Sequence, residues 1–512
     1  MLYFLLVVTQ LLVSFSLLAQ PQPGFFNVRA YGATGNGKTL DTPAINKAID
    51  AAAAAGGGTV YFPAGTYASY SVHLKSNIAL FIDQGATLLA AESPADGKGG
   101  YDVAEPNEST KFQDFGHSHW HNSLIWGENL VNVSILGTGI IDGKKGLIRE
   151  GTRTPGVANK AIALKLCRNV LIRDITVLYG GHFGILATGI DNFTVDNVKM
   201  DTNRDGIDVD CCRHVRISNC TINSPFDDAI CLKSSYALGF ARATENVTIT
   251  NCEVTGYDRG TAFDGTYQRK EAALVPDKMD VTGRIKFGTE SNGGFKNITI
   301  SNCVFEYCRG LALETVDGGI LEDVTITNIT MRDIVNSPFF LRLGARMRGP
   351  EGTPVGVLRR VKISNVVVYN ADVKYGSIIS GIPGHDIEDV TFDNIRIEFQ
   401  GGGTKAQAAI VPAEGEKDYP DPGHMGDMPS YGFFIRHVKG LEMRNIDIRY
   451  MQDDQRPPFV LLDVKDINLR NINAQHLPSV PAFTLQAVSD LEIKDSGVLP
   501  DKKVKQMAKG KL

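Results

Sequence analysis

Polar and apolar positions alternate along most of this chain, and the alternation comes in a phrase that repeats. A polar residue is followed by apolar residues at every second position, then by Asn or Asp and one more apolar residue. It reads NVLIRDI from Asn169, NFTVDNV from Asn192, HVRISNC from His214, NVTITNC from Asn246 and NITISNC from Asn297. It returns as DVTITNI from Asp323, RVKISNV from Arg360, DVTFDNI from Asp389 and DINLRNI from Asp466. The first two intervals are 23 and 22 residues, and most later ones are longer by insertion. Period-two alternation predicts strands, and a repeat of that length holds about three short strands with their turns. One such unit cannot bury its inner face, whereas stacked units can. The expected fold is therefore all-β, a right-handed parallel β-helix whose neighbouring strands lie about 4.8 Å apart, with Gly and Asn at corners of positive φ.

The ends of a solenoid need caps. TLDTPAINKAIDAAAAAGGG, residues 39–58, predicts a short N-terminal capping helix with Asp41 or Thr42 as N-cap, Pro43 in the first turn and glycines at its end. Residues 1–19, MLYFLLVVTQLLVSFSLLA, carry no charge and read as a signal peptide, which implies an exported chain, periplasmic or extracellular. No later segment approaches the roughly 20 apolar residues of a membrane span. The expected divisions are 1–19 signal peptide, 20–100 N-terminal cap and first coils, 101–500 β-helix body, and 501–512 a basic, frayed tail. A monomer is expected.

A net charge of −5, from 52 basic and 57 acidic residues, argues against a nucleic-acid partner, so an acidic ligand would have to be met locally. Of eight cysteines, Cys220, Cys252 and Cys303 occupy the same place in three repeat phrases, which favours buried free thiols over disulfides. No zinc spacing is present, and neither a metal nor a cofactor is expected.

The chemistry concentrates in DTNRDGIDVD, residues 201–210, and SPFDDAICLKS, residues 224–234. Aligning Ile207 with Ile230 stacks Asp205 on Asp228, with Asp227 beside them, so three carboxylates of two coils share one outward face. Asp208 and Asp210 are expected to bind backbone amides at a corner. Ionised carboxylates raise one another's pKa, and with no neutralising lysine evident between them the cluster points to chemistry. Glycoside hydrolysis uses two carboxyl groups, one protonating the leaving oxygen and one activating water, and calcium binding is the competing use.

At this point the chain resembles the polygalacturonase family of glycoside hydrolases, family 28. The resemblance runs through FNVRAYGATGNGKTLDTPAINKAIDAA, GGGTVYFPAGTY, LKSNIALFIDQGATLLA and SLIWGENLVNVSILGTGIIDG, and the family's N-T-D and D-D motifs stand here as Asn203-Arg204-Asp205 and Asp227-Asp228. It implies an inverting hydrolase of galacturonate-containing pectic chains, homogalacturonan or rhamnogalacturonan, with Asp227 as general acid and Asp205 and Asp228 positioning and deprotonating the water. Inversion calls for an acid–base separation of about 6.5–9.5 Å.

Two family motifs are lost. The His of G-H-G falls on Thr282, and the cations of R-I-K fall on Ala312 and Glu314. An Arg-Ile-Lys one coil earlier, Arg284 to Lys286, projects to the aspartate face, as do Lys233 and Arg342. Arg284 and Lys286 are expected either to hold a substrate carboxylate or to neutralise the aspartates. His182 and Phe183 are placed at the mouth of the groove as a sugar subsite, with a satisfied structural histidine as the alternative. The GHSHWH run, His117 to His121, is read as a wall of the cleft. The insertion 101–121 and the 258–281 loop would block one end and favour exo action. A β-helical lyase and a non-catalytic carbohydrate-binding solenoid are the competing classes.

Overall fold

A computed structural model describes residues 24–95, 98–114, 116–269 and 281–512. The expected signal peptide and most of residues 270–281 lie outside the described residues. Among those described, no helix is long and apolar enough to cross a membrane.

The repeat phrase is explained by its corners. Its first residue has positive φ in every copy, from Asn169 and Asn192 (59° and 58°) through His214 and Arg360 to Asp466. Its sixth residue does too, as at Asn197, Asn219, Asn302 and Asn394. Asn and Asp tolerate this left-handed conformation better than other side chains, so the phrase is one strand held between two left-handed corners. The corner amides bond from coil to coil: Asn192 donates to Asn169 (3.1 Å), Asn169 to Asn132 (2.9 Å) and Asn297 to Asn246 (2.7 Å).

All coil-to-coil pairings among the β-helix strands are parallel until the last, and three strand columns enclose one apolar core. In the second column Val170, Phe193, Val215, Val247 and Ile298 stack in register and are buried. Each such side chain stabilises the fold by about 1.5–3 kcal/mol relative to exposure. Helix α1, Thr42–Ala54, covers the N-terminal end with Ile45, Ala48, Ile49 and Ala52 buried. Asp41 occupies its N-cap but its carboxylate accepts from Thr34 N (2.7 Å) and Gly35 N (3.0 Å) instead of from the helix.

The tail corrects an expectation. Lys502–Lys511 is not frayed: it pairs antiparallel with Phe483–Lys494 and covers the last coil edge with lysines, a charged cover for an otherwise open strand. All eight cysteines are buried and free.

The column that matters for function contains β1 (Lys160–Lys165), β2 (Phe183–Thr188), β3 (Asp205–Asp210), β4 (Ile230–Ser234), β5 (Ile285–Ser291), β6 (Leu311–Thr315) and β7 (Phe339–Leu343). Ile185, Ile207, Ile230 and Ile285 stack inward in register. Two insertions cover its outward face. Residues 98–114 and 116–122 lie over β1 to β4, and residues 402–432 form a strap over β5 to β7. Arginines of the sheet hold the strap's carbonyls: Arg342 bonds Glu414 O and Gly415 O (2.6 and 2.9 Å), and Arg436 bonds Pro412 O and Ala413 O (2.8 and 2.9 Å).

Candidate active site

The aspartate register is as expected. Phe183 pairs with Asp205, and the Ile207–Ile230 pairing sets Asp205 over Asp228. The backbone N–H of Asp228 donates to Oδ1 of both Asp205 (3.2 Å) and Asp227 (3.1 Å), and the nearest oxygens of the three carboxylates lie within 4.8 Å of one another. They form the floor of a cavity of about 450 Å³.

Their surroundings differ from expectation. Asp227 and Asp228 are buried beneath the cavity rather than turned to solvent, and cations are interleaved among them. Arg204 pairs with Asp227. Arg284 Nε donates to Asp228 (2.8 Å) and its guanidinium lies 3.7 Å from Glu314. Lys286 stands 3.5 Å from both Asp228 and Glu314. Alternation along β5 hid these contacts, because it shows that a side chain faces outward but not how far the coverings above bury it.

Of the expected site residues, Asp205, Asp227, Asp228, His182, Lys233 and Lys286 line the cavity, while Asn203 and Arg284 do not. Arg284 lies behind Asp228. His182 and Phe183 are fully buried rather than at the mouth: His182 Nδ1 donates to Arg149 O (2.5 Å), and Phe183 packs with Trp120, so its ring is not offered to a sugar. Within the GHSHWH run only His117 reaches the cavity; His119 bonds Glu105 O (2.7 Å), and His121 stacks on Trp126.

Asp210 does bind a backbone amide, accepting from Ser235 N (2.7 Å), but Asp208 does not. Both Asp208 oxygens lack a hydrogen-bond donor, and the carboxylate lies 3.4 Å from His117 Nε2 and 3.7 Å from Lys233. Burial pushes Asp208 up to about 8 and, with Lys233, holds His117 down at about 4. Burial first, then Asp208 and Asp227, raise Asp205 as well. Burial opposes ionisation of Glu290 too, but Lys233, His117 and Arg346 outweigh it and hold this carboxyl well below its usual range. His117, Asp205 and Asp208 bring one donor atom each within 4.8 Å, as does the aspartate trio, but an ammonium 3.7 Å from Asp208 already supplies positive charge there.

Several cavity residues were not foreseen. Tyr419, Asp421, Gly423 and His424 come from the strap, and Arg309 beside them pairs with Asp421 at 2.6 Å. At the other insertion Asp114 pairs with Arg346 (3.0 Å) and with Arg348. The available signal was spacing: the Gly- and Pro-rich run after Gly401 interrupts the repeat, which marks an excursion but not where it lands.

The strap also accounts for one lost family motif. The outward row through Lys286 continues as Ala312, Phe340, Ile378, Phe434 and Val460, all buried, and Met425 and Met428 of the strap pack on it. A long cation at Ala312 would occupy the space of those methionines.

Comparison with known proteins agrees with this architecture. A family model described as rhamnogalacturonase A/epimerase, pectate lyase-like, matches residues 25–164, and a right-handed β-helix model matches 129–268. A probable polygalacturonase of Vitis vinifera is 24% identical over 425 residues, covering 78% of this chain and 80% of that protein. An exo-poly-alpha-D-galacturonosidase of Dickeya chrysanthemi is 26% identical over 254 residues, 41% of this chain and 42% of that one. Among solved structures, the family 28 exopolygalacturonase of Yersinia enterocolitica superposes with a TM-score of 0.63 at 19% identity, over 89% of this chain and 79% of its own. The exopolygalacturonase of Thermotoga maritima gives 0.51 at 16% identity, over 96% of both chains. Sequence phrases, coil register and these matches agree on a right-handed parallel β-helix similar to the polygalacturonases.

Proposed function

We propose that the chain is an exported glycoside hydrolase that cleaves galacturonate-containing pectic chains with inversion, from chain ends. The observation that carries this reading is the trio Asp205, Asp227 and Asp228, converging within 4.8 Å on the floor of a cavity. Asp227 receives the proton that burial and its carboxylate neighbours keep on Asp205 and gives it to the leaving glycosidic oxygen. A water held between Asp205 and Asp228 attacks the anomeric carbon, and its proton passes to Asp228, beside Arg284 and Lys286. The bond to the leaving oxygen breaks as the bond to water forms, so protons balance across the trio.

The spacing is shorter than the 6.5–9.5 Å usual for inversion. Asp227 and Asp228 are neighbours in the chain, and the coil repeat stacks Asp205 on Asp228 at about 4.8 Å. Two hydrogen bonds of about 2.7 Å to one water span that gap in a bent bridge. The pair can therefore hold the nucleophile jointly instead of standing across the sugar from the acid. Exo action is supported by the contact of Asp114, in the first insertion, with Arg346 and Arg348, in the loop that follows β7, which closes one rim of the cavity.

Incubation with defined pectic oligosaccharides, with products read by mass, tests the reading. The expected result is new reducing ends, short products from the start, and no unsaturated product absorbing in the ultraviolet. An unsaturated product, or activity lost on chelation and restored by calcium, would make the chain a lyase. Binding without any cleavage would make it a carbohydrate-binding solenoid.

A further inference from the structure

His117 and Asp208 face each other beside the aspartate trio. His117 Nδ1 bonds the carbonyl oxygen of Asp114, so this nitrogen carries the hydrogen and Nε2 is left as an acceptor. Arg346 (3.0 Å) and Arg348 hold the Asp114 carboxylate, which fixes the turn and with it the imidazole. The atom that Nε2 faces, 3.4 Å away, is a carboxyl oxygen of Asp208. Neither atom has another hydrogen-bond partner among the described residues, and both side chains are buried. Two acceptors in such a place are compatible only with a proton between them.

Lys233 does not remove that need. Its ammonium stands 3.4 Å from Glu290 and 3.7 Å from Asp208. Although burial opposes it, Lys233 and Arg346 hold Glu290 ionised well below its usual range. The ammonium is thereby committed to Glu290, and Asp208 keeps a proton. The remaining ionisable neighbours do not compete for it. Asp210 on β3 accepts from Ser235 N and Oγ (2.7 and 2.6 Å), and Cys231, the register partner of Asp208 on β4, bonds Gly288 O (3.0 Å). His182, edge-on to His117, has its Nδ1 on Arg149 O. Asp227 and Asp228 add negative charge, which favours the proton on Asp208.

The facing atoms of His117 and Asp208 both lie within 4.8 Å of an Asp205 oxygen. With the proton in place the pair is neutral. Once solvent has taken it, a negative charge stands beside Asp205, and after burial Asp208 is the largest cause that raises Asp205. A carboxyl held more tightly gives up its proton less readily. We propose that Asp208 and His117, sharing one proton, control the acid step through Asp205: the neutral pair lets Asp205 pass its proton to Asp227, and the ionised pair holds it back. Neither group takes part in bond breaking, and both are positioning residues that act through Asp205. This deepens the hydrolase reading above and rests on it.

The test is the pH dependence of kcat for the full-length enzyme at saturating pectic oligosaccharide, which reports groups in the bound complex. Wild-type kcat should fall on the alkaline side near pH 8, where Asp208 gives up its proton. Asp208→Asn keeps an N–H for His117 Nε2 but cannot ionise, so the fall should move up by about one pH unit or more. His117→Ala removes the acceptor that supports neutral Asp208, so the fall should move down by about one pH unit. Opposite shifts distinguish this role from a structural one, which would lower stability or kcat in both variants without moving the profile. An unmoved alkaline fall in Asp208→Asn would overturn the proposal and leave the hydrolase reading intact. Absence of hydrolysis by the wild type at every pH would overturn both.

Discussion

The Asn corners and the catalytic column are built by the same coil register, yet they use it in opposite ways. At the corner the register brings like residues together: Asn132, Asn169 and Asn192 stack with their amides bonded in a row, and each satisfies the next. On the outward face of β2 to β6 it brings unlike residues together, Phe183 under Asp205 and Lys286 beside Ala312. A repeated amide is self-satisfying, because it carries a donor and an acceptor. A repeated carboxylate is not, and the trio is tolerated only because Arg204, Arg284 and Lys286 stand among its members. The corner shows how a coil is stabilised, and the column shows how one coil's chemistry is made different from the next.

The sharpest break in that comparison is to remove a charge from the column. Asp227→Asn should reduce turnover by about 10²–10⁴-fold, the usual contribution of a positioned acid. Arg204 would be left against a neutral amide, so a lower melting temperature is expected as well. Near wild-type kcat on the best substrate would refute the acid assignment.

A smaller effect sharpens the electrostatic half of the contrast. Asp208 keeps a proton in the folded chain up to about pH 8, whereas the unfolded chain releases it near 3.8. Its contribution to stability therefore falls as pH rises through that window. In Asp208→Asn that slope is absent, so the stability of the variant relative to wild type should rise by about 2 kcal/mol between pH 6.5 and pH 8. Denaturant titrations at the two pH values would show it, and parallel pH dependence in both proteins would rule it out.

The smallest effect belongs to the corner. Asn192→Ala forces Ala to φ 58° and removes one rung of the row, at a cost of about 1–2 kcal/mol. kcat should not change. Loss of activity without loss of stability would mean that the two regions are not as separate as described.

The same contrast decides what could be read from the chain alone. The fold was legible because Asn169, Asn192 and their counterparts announce a corner each time, and the capping helix because Pro43 and the glycines punctuate it. The stacking of Asp205 on Asp228 followed from aligning Ile207 with Ile230. What could not be read was the covering of that face. Strand periodicity makes Asp227, Arg284 and His182 outward, but their burial is created by residues 98–114, 116–122 and 402–432, which lack the repeat. Tyr419 and His424 lie more than 100 residues from β5, and no local pattern links them to it. Asp208 escaped for a related reason: its contact with His117 depends on where an irregular segment returns.

The central claim is that a trio packed closer than usual still delivers water rather than attacking the sugar itself. The most direct test is the anomeric configuration of the first product, followed by proton NMR from the start of the reaction, before mutarotation. The account predicts that the new reducing end appears with configuration opposite to that of the cleaved linkage. Retention would contradict it, and would make one of the closely spaced aspartates a nucleophile that forms a covalent glycosyl intermediate.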